Sequence, residues 1–301
     1  MGKIFSPGKL LLTSEYAVLD GALALAVPTQ LGQEFFFEEK MDGKSLVTWE
    51  AFHQEQHWLH CIINYQTDEI VEANNPEAAE FVKKVLKNAR ELSLIRFQKG
   101  ESYLLKTNLQ FPSNFGLGSS STLMSNIAEW AEIDPFLLNE ISLGGSGYDV
   151  AVAREKSTVL FQKLDGVNCV EKINFNPPFQ DRLIFIHLNK KQDSRKGIEQ
   201  YRAKDKSEEL IKALSEITRK VLEVQNLEEF SFLMSNHEEK LSQFLAIETV
   251  KEKYFQDCPT FVKSLGAWGG DFVMSSKFPD YSKYFHDKGF QTIFSWEEII
   301  A

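Results

Sequence analysis

The stretch FPSNFGLGSSSTL, residues 111–123, constrains the fold of this chain more than any other segment. It follows an apolar segment with strand character, SYLLKTNL (102–109), and it precedes apolar positions at helical spacing over 119–131. Glycines let a ligand approach the backbone closely, and a helix N-terminus exposes unpaired N–H groups and the positive end of the dipole. A strand, a glycine- and serine-rich loop and a helix in this order therefore predict an anion site that suits phosphate.

A second interpretation of the same residues is a serine-capped helix that follows a glycine turn, and the stretch alone favours neither reading. The two best-known nucleotide motifs are absent from the sequence. Gly43-Lys44-Ser45 has Glu38 where a Walker A motif needs its first glycine, and Gly116 and Gly118 are followed by Ser121 where the dinucleotide fingerprint needs its third. A phosphate loop here would be of a different kind.

The composition of the chain limits the kinds of molecule that it is expected to bind. The 301 residues carry a formal net charge of -10, which argues against nucleic acid or an anionic membrane, although a pocket for a small anionic substrate needs only a few local cations. No apolar run approaches the roughly 18 residues of a membrane span. Cys61, Cys169 and Cys258 lie far apart and form no C-x-x-C, so we expect a reducing, cytoplasmic location. A monomer or a homodimer is expected.

Strand and helix patterns alternate irregularly along the chain, which predicts an α+β fold in both halves. Asn176-Pro177-Pro178 is the best candidate for a boundary, giving domains 1–175 and 176–301. Strands are expected at 33–39, 45–52, 58–65, 102–109, 157–163 and 182–188, and helices at 77–93, 119–131, 208–224 and 228–246.

Three further segments place chemically useful residues beside small ones. They are SPGKLLLTSEYAVLDG (6–21), GGSGYDVAVA (144–153) and SLGAWGGDF (264–272). Each has an ordinary explanation when taken alone, as a cap, a turn or a β-bulge, and an isolated Asp149 is an N-cap more often than a catalytic group.

Taken together and in this order, the four segments resemble the GHMP kinases, which include galactokinase, homoserine kinase, mevalonate kinase and phosphomevalonate kinase. The resemblance extends from Pro7 to Phe272, and the wording EYAVLDG is most similar to the mevalonate-pathway members, phosphomevalonate kinase in particular. GYDVA also resembles a bacterial subgroup of this superfamily. The resemblance implies an N-terminal α/β domain, a C-terminal ferredoxin-like domain and a site in the cleft between them.

The resemblance also implies roles for particular residues. Asp149 would be the base that faces the substrate hydroxyl, and Lys9 would lie beside it and stabilise charge. Ser120 and, less in register, Glu140 would be the ligands of Mg²⁺. ATP would be held by Asn114, Gly116, Leu117, Gly118, Ser119, Ser120 and Ser121, and the substrate by Glu15, Tyr16, Ser146, Gly147, Arg195, Lys196, Gly269 and Gly270.

Two loops depart from the family pattern. Asn114-Phe115 stands where the family has Gly-Ala, and the bulky Phe115 is expected to narrow the adenine side of the loop. The last glycine loop, 266–270, contains Trp268 and is followed by the acidic Asp271, which puts its contact with an anion in doubt.

Two other clusters have weaker functional readings. His53, His57 and His60 would share a face if helical, as in a metal site, but the flanking strand patterns favour the polar end of a hairpin. The basic run NKKQDSRKG (189–197) is either a solvated loop or a source of cations for an anionic substrate.

The sequence therefore predicts an ATP- and magnesium-dependent kinase that phosphorylates mevalonate or phosphomevalonate. A sugar or homoserine is the alternative acceptor. A nucleotide-binding sensor without activity is the alternative of another class, because fold does not fix function.

Overall fold

Residues 1–190, 194–266, 268 and 270–301 are described by the computed structural model, without the side chains of Ser194 and Arg195. The chain divides into two compact units, each built from separated segments. The first unit comprises Met1–Gly8, Leu31–Ser113 and Gly118–Lys156, and the second comprises Lys9–Gln30, Asn114–Leu117 and Ser157–Ala301. The predicted boundary between residues 175 and 176 is a single cut, and it stays a prediction.

The first unit contains a mixed sheet with strand order β5-β4-β3-β6-β2, and β1 pairs with β2. β3 runs parallel to β6, whereas β2 with β6, β3 with β4 and β4 with β5 are antiparallel. β1 and β2 are long strands that contribute residues to both units. The strands are β1 (Gly2–Leu11), β2 (Ala24–Met41), β3 (Leu46–His53), β4 (Gln56–Asn64), β5 (Glu69–Ala73) and β6 (Glu101–Leu109).

The helices of the first unit begin at recognisable signals. Helix α1 starts with Pro76, and the Asn75 side chain accepts a hydrogen bond from the Ala78 N–H, which satisfies one of the donors left open at a helix start. Its buried positions repeat at helical spacing and cover the sheet. The helices are α1 (Pro76–Leu92), α2 (Ser119–Ala131), α3 (Pro135–Ser142) and α4 (Tyr148–Glu155).

Aromatic side chains fill the core of the first unit between the sheet and α1, α2 and α3. Phe35 lies 6.2 Å from Trp49 and 6.1 Å from Trp130, measured between ring centroids. All three rings are almost completely buried. Burial of each such side chain stabilises the fold by about 1.5–3 kcal/mol, so this cluster holds helix α2 firmly against the sheet.

The second unit contains an antiparallel sheet of order β10-β11-β9-β12, with α6 packed on α7 and α7 packed on β10. Its other strands form a hairpin, β7 with β8, and β7 pairs with the first residues of β2. The strands are β7 (Val159–Leu164), β8 (Val167–Lys172), β9 (Leu183–His187), β10 (Val262–Leu265), β11 (Phe272–Ser276) and β12 (Ile293–Ser295).

The second unit also contains six α-helices among the described residues. The helices are α5 (Ser194–Arg202), α6 (Glu208–Glu223), α7 (Leu227–Leu245), α8 (Val250–Tyr254), α9 (Tyr281–Asp287) and α10 (Trp296–Ile299). Two short 3-10 helices cover Ala17–Asp20 and Gln180–Arg182.

The α+β fold class is confirmed, and every strand and helix predicted above is present with ends shifted by a few residues at most, apart from the strand at 33–39, which is part of the longer β2. In the portion of the chain that the structure describes, no helix is both long enough and apolar enough to cross a membrane.

Candidate active site

The predicted site residues belong to both units. In the first unit, α2 begins directly after Gly118, whose φ of 86° lies in the left-handed region that glycine adopts without strain. Ser119 is half-buried, and Ser120 is exposed. The N-cap of α2 is Gly118, which has no side chain. The serine-cap reading of this stretch is therefore not what the structure has, and the N–H groups at a helix start are those that a ligand can satisfy.

The inward-facing polar residues of α2 have internal partners. The Ser121 hydroxyl donates to the Gly118 carbonyl at 2.8 Å, and the Thr122 hydroxyl lies 2.9 Å from the Ser119 carbonyl and 3.0 Å from Gln33 Oε1. Asn126 donates to the Gln33 carbonyl at 3.0 Å. These bonds tie the first turns of α2 to β2, so the exposed Ser120 sits on a rigid helix end.

Asp149 lies in the first turn of α4, a helix that packs against α2. The N-cap of α4 is Gly147, with φ of 93°, so Asp149 is not the cap. Its Oδ1 accepts a hydrogen bond from the Val150 N–H at 3.0 Å, and the side chain is half-buried. Ser146 and Gly147 precede it, and the structure thus places the predicted base at the start of a second helix N-terminus in the same unit as Ser120.

In the second unit, Lys9 is joined to the first glycine loop, residues 114–118, by two hydrogen bonds. Its backbone N–H donates to the Leu117 carbonyl and its ammonium donates to the Gly116 carbonyl, both at 2.9 Å. The side chain is only 8% exposed. Lys9 is therefore in direct contact with the predicted phosphate loop, while its role in the site and its pairing with Asp149 stay predictions.

Asp271 packs directly on the same loop. A Cβ atom added to Gly116 would lie 2.2 Å from the Asp271 Cγ, so only glycine fits at position 116. Asp271 has a positive φ of 56°, its N–H donates to the Lys190 carbonyl at 2.9 Å, and its carbonyl accepts from the Leu188 N–H at 2.8 Å. The acidic residue that follows the second glycine loop, residues 266–270, is thus in contact with the first.

Phe115 packs among aromatic side chains of the second unit. Its ring centroid lies 4.5 Å from that of His187, 5.5 Å from Phe272 and 6.3 Å from Phe294. His187 Nε2 donates to the Asn114 carbonyl at 3.3 Å, and burial lowers the pKa of His187, which favours the neutral ring. The departure from Gly-Ala at 114–115 therefore anchors the loop to β9 and β11.

Glu15 lies in a fully buried charged cluster of the second unit. Its Oε1 accepts a hydrogen bond from the Lys263 ammonium at 2.6 Å, and the same ammonium lies 3.7 Å from Glu238 Oε2. His237 Nε2 lies 3.5 Å from Glu15 Oε2 and accepts a hydrogen bond from the Ser14 N–H at 2.7 Å. The structure therefore gives Glu15, predicted to bind substrate, an internal cation, and its substrate role stays a prediction.

Burial controls protonation in this cluster. It raises the pKa of Glu15 to about 7, against the opposing effect of the Lys263 charge, and it also raises the pKa of Glu238. Burial, with the Lys263 charge acting in the same direction, holds the pKa of His237 well below its usual value. Because Nε2 of His237 accepts a hydrogen bond, the neutral ring carries its proton on Nδ1.

The remaining predicted residues differ in exposure. Lys196 is exposed on α5, Gly270 is buried and Glu140 is exposed on α3. Gly269 and the side chain of Arg195 lie outside the described residues. Tyr16 is buried, and its hydroxyl accepts a hydrogen bond from the Trp268 N–H at 2.8 Å.

The histidine cluster occupies a hairpin, as the strand patterns favoured. His57 Nε2 lies 2.6 Å from Glu50 Oε2, and His60 Nδ1 lies 2.8 Å from Glu50 Oε1. Among the residues that the structure describes, no group of three or more His, Cys, Asp or Glu side chains is arranged to hold a metal ion.

Sequence reasoning missed Lys263, His237, Glu238, His187 and Gly197 as neighbours of the site segments. Lys263 precedes the second glycine loop by three residues, which is a weak signal. Gly197 ends the basic run 189–197, which was not predicted to be helical, and His237, Glu238 and His187 lie in ordinary helical or strand patterns that nothing local distinguishes.

No protein-family model matches the sequence, and no curated protein matches it. Solved structures do match. The mevalonate kinase of Methanococcus jannaschii has a TM-score of 0.68 at 17% identity, covering 97% of this chain and 96% of that one. Streptococcus pneumoniae phosphomevalonate kinase, in complex with phosphomevalonate and AMPPNP, has a TM-score of 0.68 at 17% identity, covering 98% and 100%. Lactococcus lactis galactokinase, complexed with galactose, has a TM-score of 0.64 at 12% identity, covering 95% and 88%.

Identities this low establish shape and not activity. The three structures are kinases of the GHMP superfamily, and each is matched over nearly the whole of this chain. The resemblance carried by the four sequence segments is thus confirmed at the level of architecture. The chain has the fold of the GHMP kinases.

Proposed function

We propose that this protein is an ATP- and magnesium-dependent small-molecule kinase whose acceptor is mevalonate or phosphomevalonate. The observation that carries the proposal is the contact of Lys9 with Gly116, because it brings a buried cation to a glycine loop that leads into a helix N-terminus. Phosphoryl transfer needs charge neutralisation and positioning more than covalent chemistry. The Lys9 ammonium would provide the first, and the glycine loop with its helix would provide the second.

The first glycine loop and the start of α2 are proposed to bind the ATP phosphates. The uncapped first turn of α2 has N–H groups for phosphate oxygens, and Gly116 and Gly118 allow close approach. Asn114, Leu117, Ser119 and Ser121 would contribute main-chain contacts along the same segment.

Asp149 is proposed as the base. A half-buried carboxylate in the first turn of a helix is stabilised by the dipole, and it can accept the proton of an acceptor hydroxyl as the bond to phosphorus forms. Lys9 would stabilise negative charge on the transferring group. Ser146 and Gly147, directly before Asp149, are proposed to contact the acceptor.

The donor set fits a magnesium ion held mainly by nucleotide phosphates. The exposed Ser120 hydroxyl stands at the start of α2, and the described residues offer no three-carboxylate cage. Mg²⁺ commonly binds through one or two protein oxygens together with substrate phosphates and water. When bound, it would neutralise phosphate charge; Glu140 remains a proposed second ligand.

The mevalonate-type acceptor is supported by the wording of residues 15–21 and by likeness to solved mevalonate and phosphomevalonate kinases. The galactokinase likeness keeps a sugar acceptor as the alternative. A cytoplasmic location belongs to the same proposal and is supported by three free cysteines.

An acceptor screen tests this function. The purified protein would receive ATP and magnesium with mevalonate, phosphomevalonate, galactose or homoserine, and ADP release would be measured. We expect turnover with one of the two mevalonate compounds. Turnover of only galactose or homoserine would refute the acceptor, and ATP binding without any turnover would favour the sensor.

Two variants then test the residues. Asp149→Asn should lower kcat on the order of 10²–10⁴-fold, as expected for loss of a general base, while ATP binding persists. Asp165→Asn, a change in the exposed turn between β7 and β8, is the matched control. Ser120→Ala should raise the magnesium concentration needed for half-maximal turnover without changing thermal stability. Wild-type turnover in Asp149→Asn would remove that residue from the chemistry.

A further inference from the structure

Tyr16 joins three segments of the second unit, and its backbone is held in an unusual conformation. Its φ is 59°, in the left-handed region, which costs a residue other than glycine on the order of 1 kcal/mol or more. The side chain is 8% exposed. Surrounding contacts must therefore fix the residue, and they lead to both α5 and the second glycine loop.

The hydroxyl of Tyr16 binds the second glycine loop through its main chain. It accepts the Trp268 N–H at 2.8 Å, and the Trp268 indole Nε1 donates to the Glu248 carbonyl at 3.1 Å. Tyr16 and Trp268 are both buried. A main-chain bond of this kind sets the position of the backbone at residue 268 and does not depend on which side chain stands there.

Helix α5 packs on the same Tyr16 side chain. A Cβ atom added to Gly197 would lie 2.2 Å from the Tyr16 hydroxyl oxygen, so this glycine lets the helix rest directly on the phenol. One helical turn later, the Tyr201 ring stacks on the Tyr16 ring at 6.0 Å and 21°. The Tyr201 hydroxyl donates to Asp20 Oδ2 at 2.8 Å. One face of α5 is thus shaped to fit Tyr16.

We propose that Tyr16 is a positioning residue for phosphoryl transfer, which supports α5 with its ring and fixes the main chain at Trp268 with its hydroxyl. This inference rests on the proposed function. It places Lys196, in the first half of α5, and the main chain at Trp268 in a single fixed arrangement. Such positioning acts on the transition state, because small displacements of groups around a transferring phosphoryl group cost rate more than they cost ground-state binding.

Tyr16→Phe tests the hydroxyl while keeping the ring. Selective ¹⁵N labelling of the five tryptophans allows amide exchange at Trp268 to be followed by NMR, with the other four as internal references. We expect exchange at Trp268 to accelerate about fivefold or more, as for a lost buried hydrogen bond. We expect kcat to fall about tenfold, with KM for ATP changed less than twofold. Gly197→Ala should reproduce both effects, because its methyl group displaces the hydroxyl.

Tyr284→Phe is the matched control, since it removes another tyrosine hydroxyl bond of the second unit, the one to Asp257. Trp268 exchange that is the same in Tyr16→Phe and Tyr284→Phe would overturn the inference, and so would faster exchange with an unchanged kcat. Should the wild type phosphorylate no acceptor, the proposed function fails, and exchange at Trp268 alone decides whether Tyr16 holds the loop.

Discussion

Replacing Glu15 by glutamine probes the buried charged cluster, because the change keeps the shape of the side chain and removes its titration. Burial raises the pKa of Glu15 from 4.5 to about 7. Between these values the folded protein binds a proton that the unfolded chain does not bind. The contribution of Glu15 to stability is therefore fully present below pH 4.5, and it is lost as the pH rises through 7.

The magnitude follows from the pKa separation. At about 1.4 kcal/mol per pKa unit the full effect is about 3 kcal/mol, of which about 1.5 kcal/mol develops between pH 7 and pH 5.5. His237 has the opposite sign: its lowered pKa gives stability above pH 6.5 that is lost as the pH falls. Glu238 has the same sign as Glu15. Because His237, Glu238 and Lys263 are present in both proteins, subtracting the variant from the wild type removes the part of their titration that does not depend on the charge of Glu15.

The assay is urea unfolding of the wild type and Glu15→Gln at half-unit steps from pH 5 to pH 8. We expect the wild type to gain about 1.5 kcal/mol over the variant as the pH falls from 7 to 5.5. Glu216→Gln, an exposed change on α6, should give a difference that stays flat over this range. A flat or reversed difference for Glu15→Gln would refute the burial argument. His237→Gln should show the reversed slope below pH 6.5.

Two further changes test the loops. Gly116→Ala should destabilise the protein by roughly 1–3 kcal/mol more than Gly43→Ala. Both positions have positive φ, but only the methyl group at position 116 would meet the Asp271 carboxyl group. Equal urea midpoints for the two variants would contradict the contact. Lys190→Ala should raise KM for an anionic acceptor about tenfold and leave KM for ATP unchanged, as measured by steady-state kinetics. Lys212→Ala on α6 is the control and should change neither value. An unchanged acceptor KM in Lys190→Ala would remove Lys190 from the site.

Sequence patterns predicted the helices and strands that have their own start signals and apolar spacing. Helix α2 begins and ends where the sequence indicates, because Gly118 marks its start and its apolar positions repeat at helical spacing. Helix α4 is different. It is eight residues long and follows three glycines that resemble a flexible loop, so its helical state was not predicted, and neither was the placement of Asp149 inside its first turn rather than at the cap.

Long-range contacts leave at most a weak local signal in the sequence. Lys263 and Glu15 are separated by 248 residues, and Ser14 and His237 by 223. A lysine before a glycine loop reads as a solvated residue, and a histidine within an amphipathic helix reads as a surface or core residue. Only the fold brings these groups together, and the interleaving of the two units is invisible for the same reason.

The contact between Asp271 and Gly116 also limits the order in which this sequence can change. A methyl group at position 116 cannot be accommodated while the carboxyl group occupies that space. Position 271 has a positive φ that glycine adopts readily. A lineage that acquires Asp271→Gly first can then accept Gly116→Ala with less disturbance, whereas the reverse order passes through a clashing intermediate. We therefore expect the two positions, although distant in the chain, to be inherited as a pair and to show strong sign epistasis in a combinatorial library.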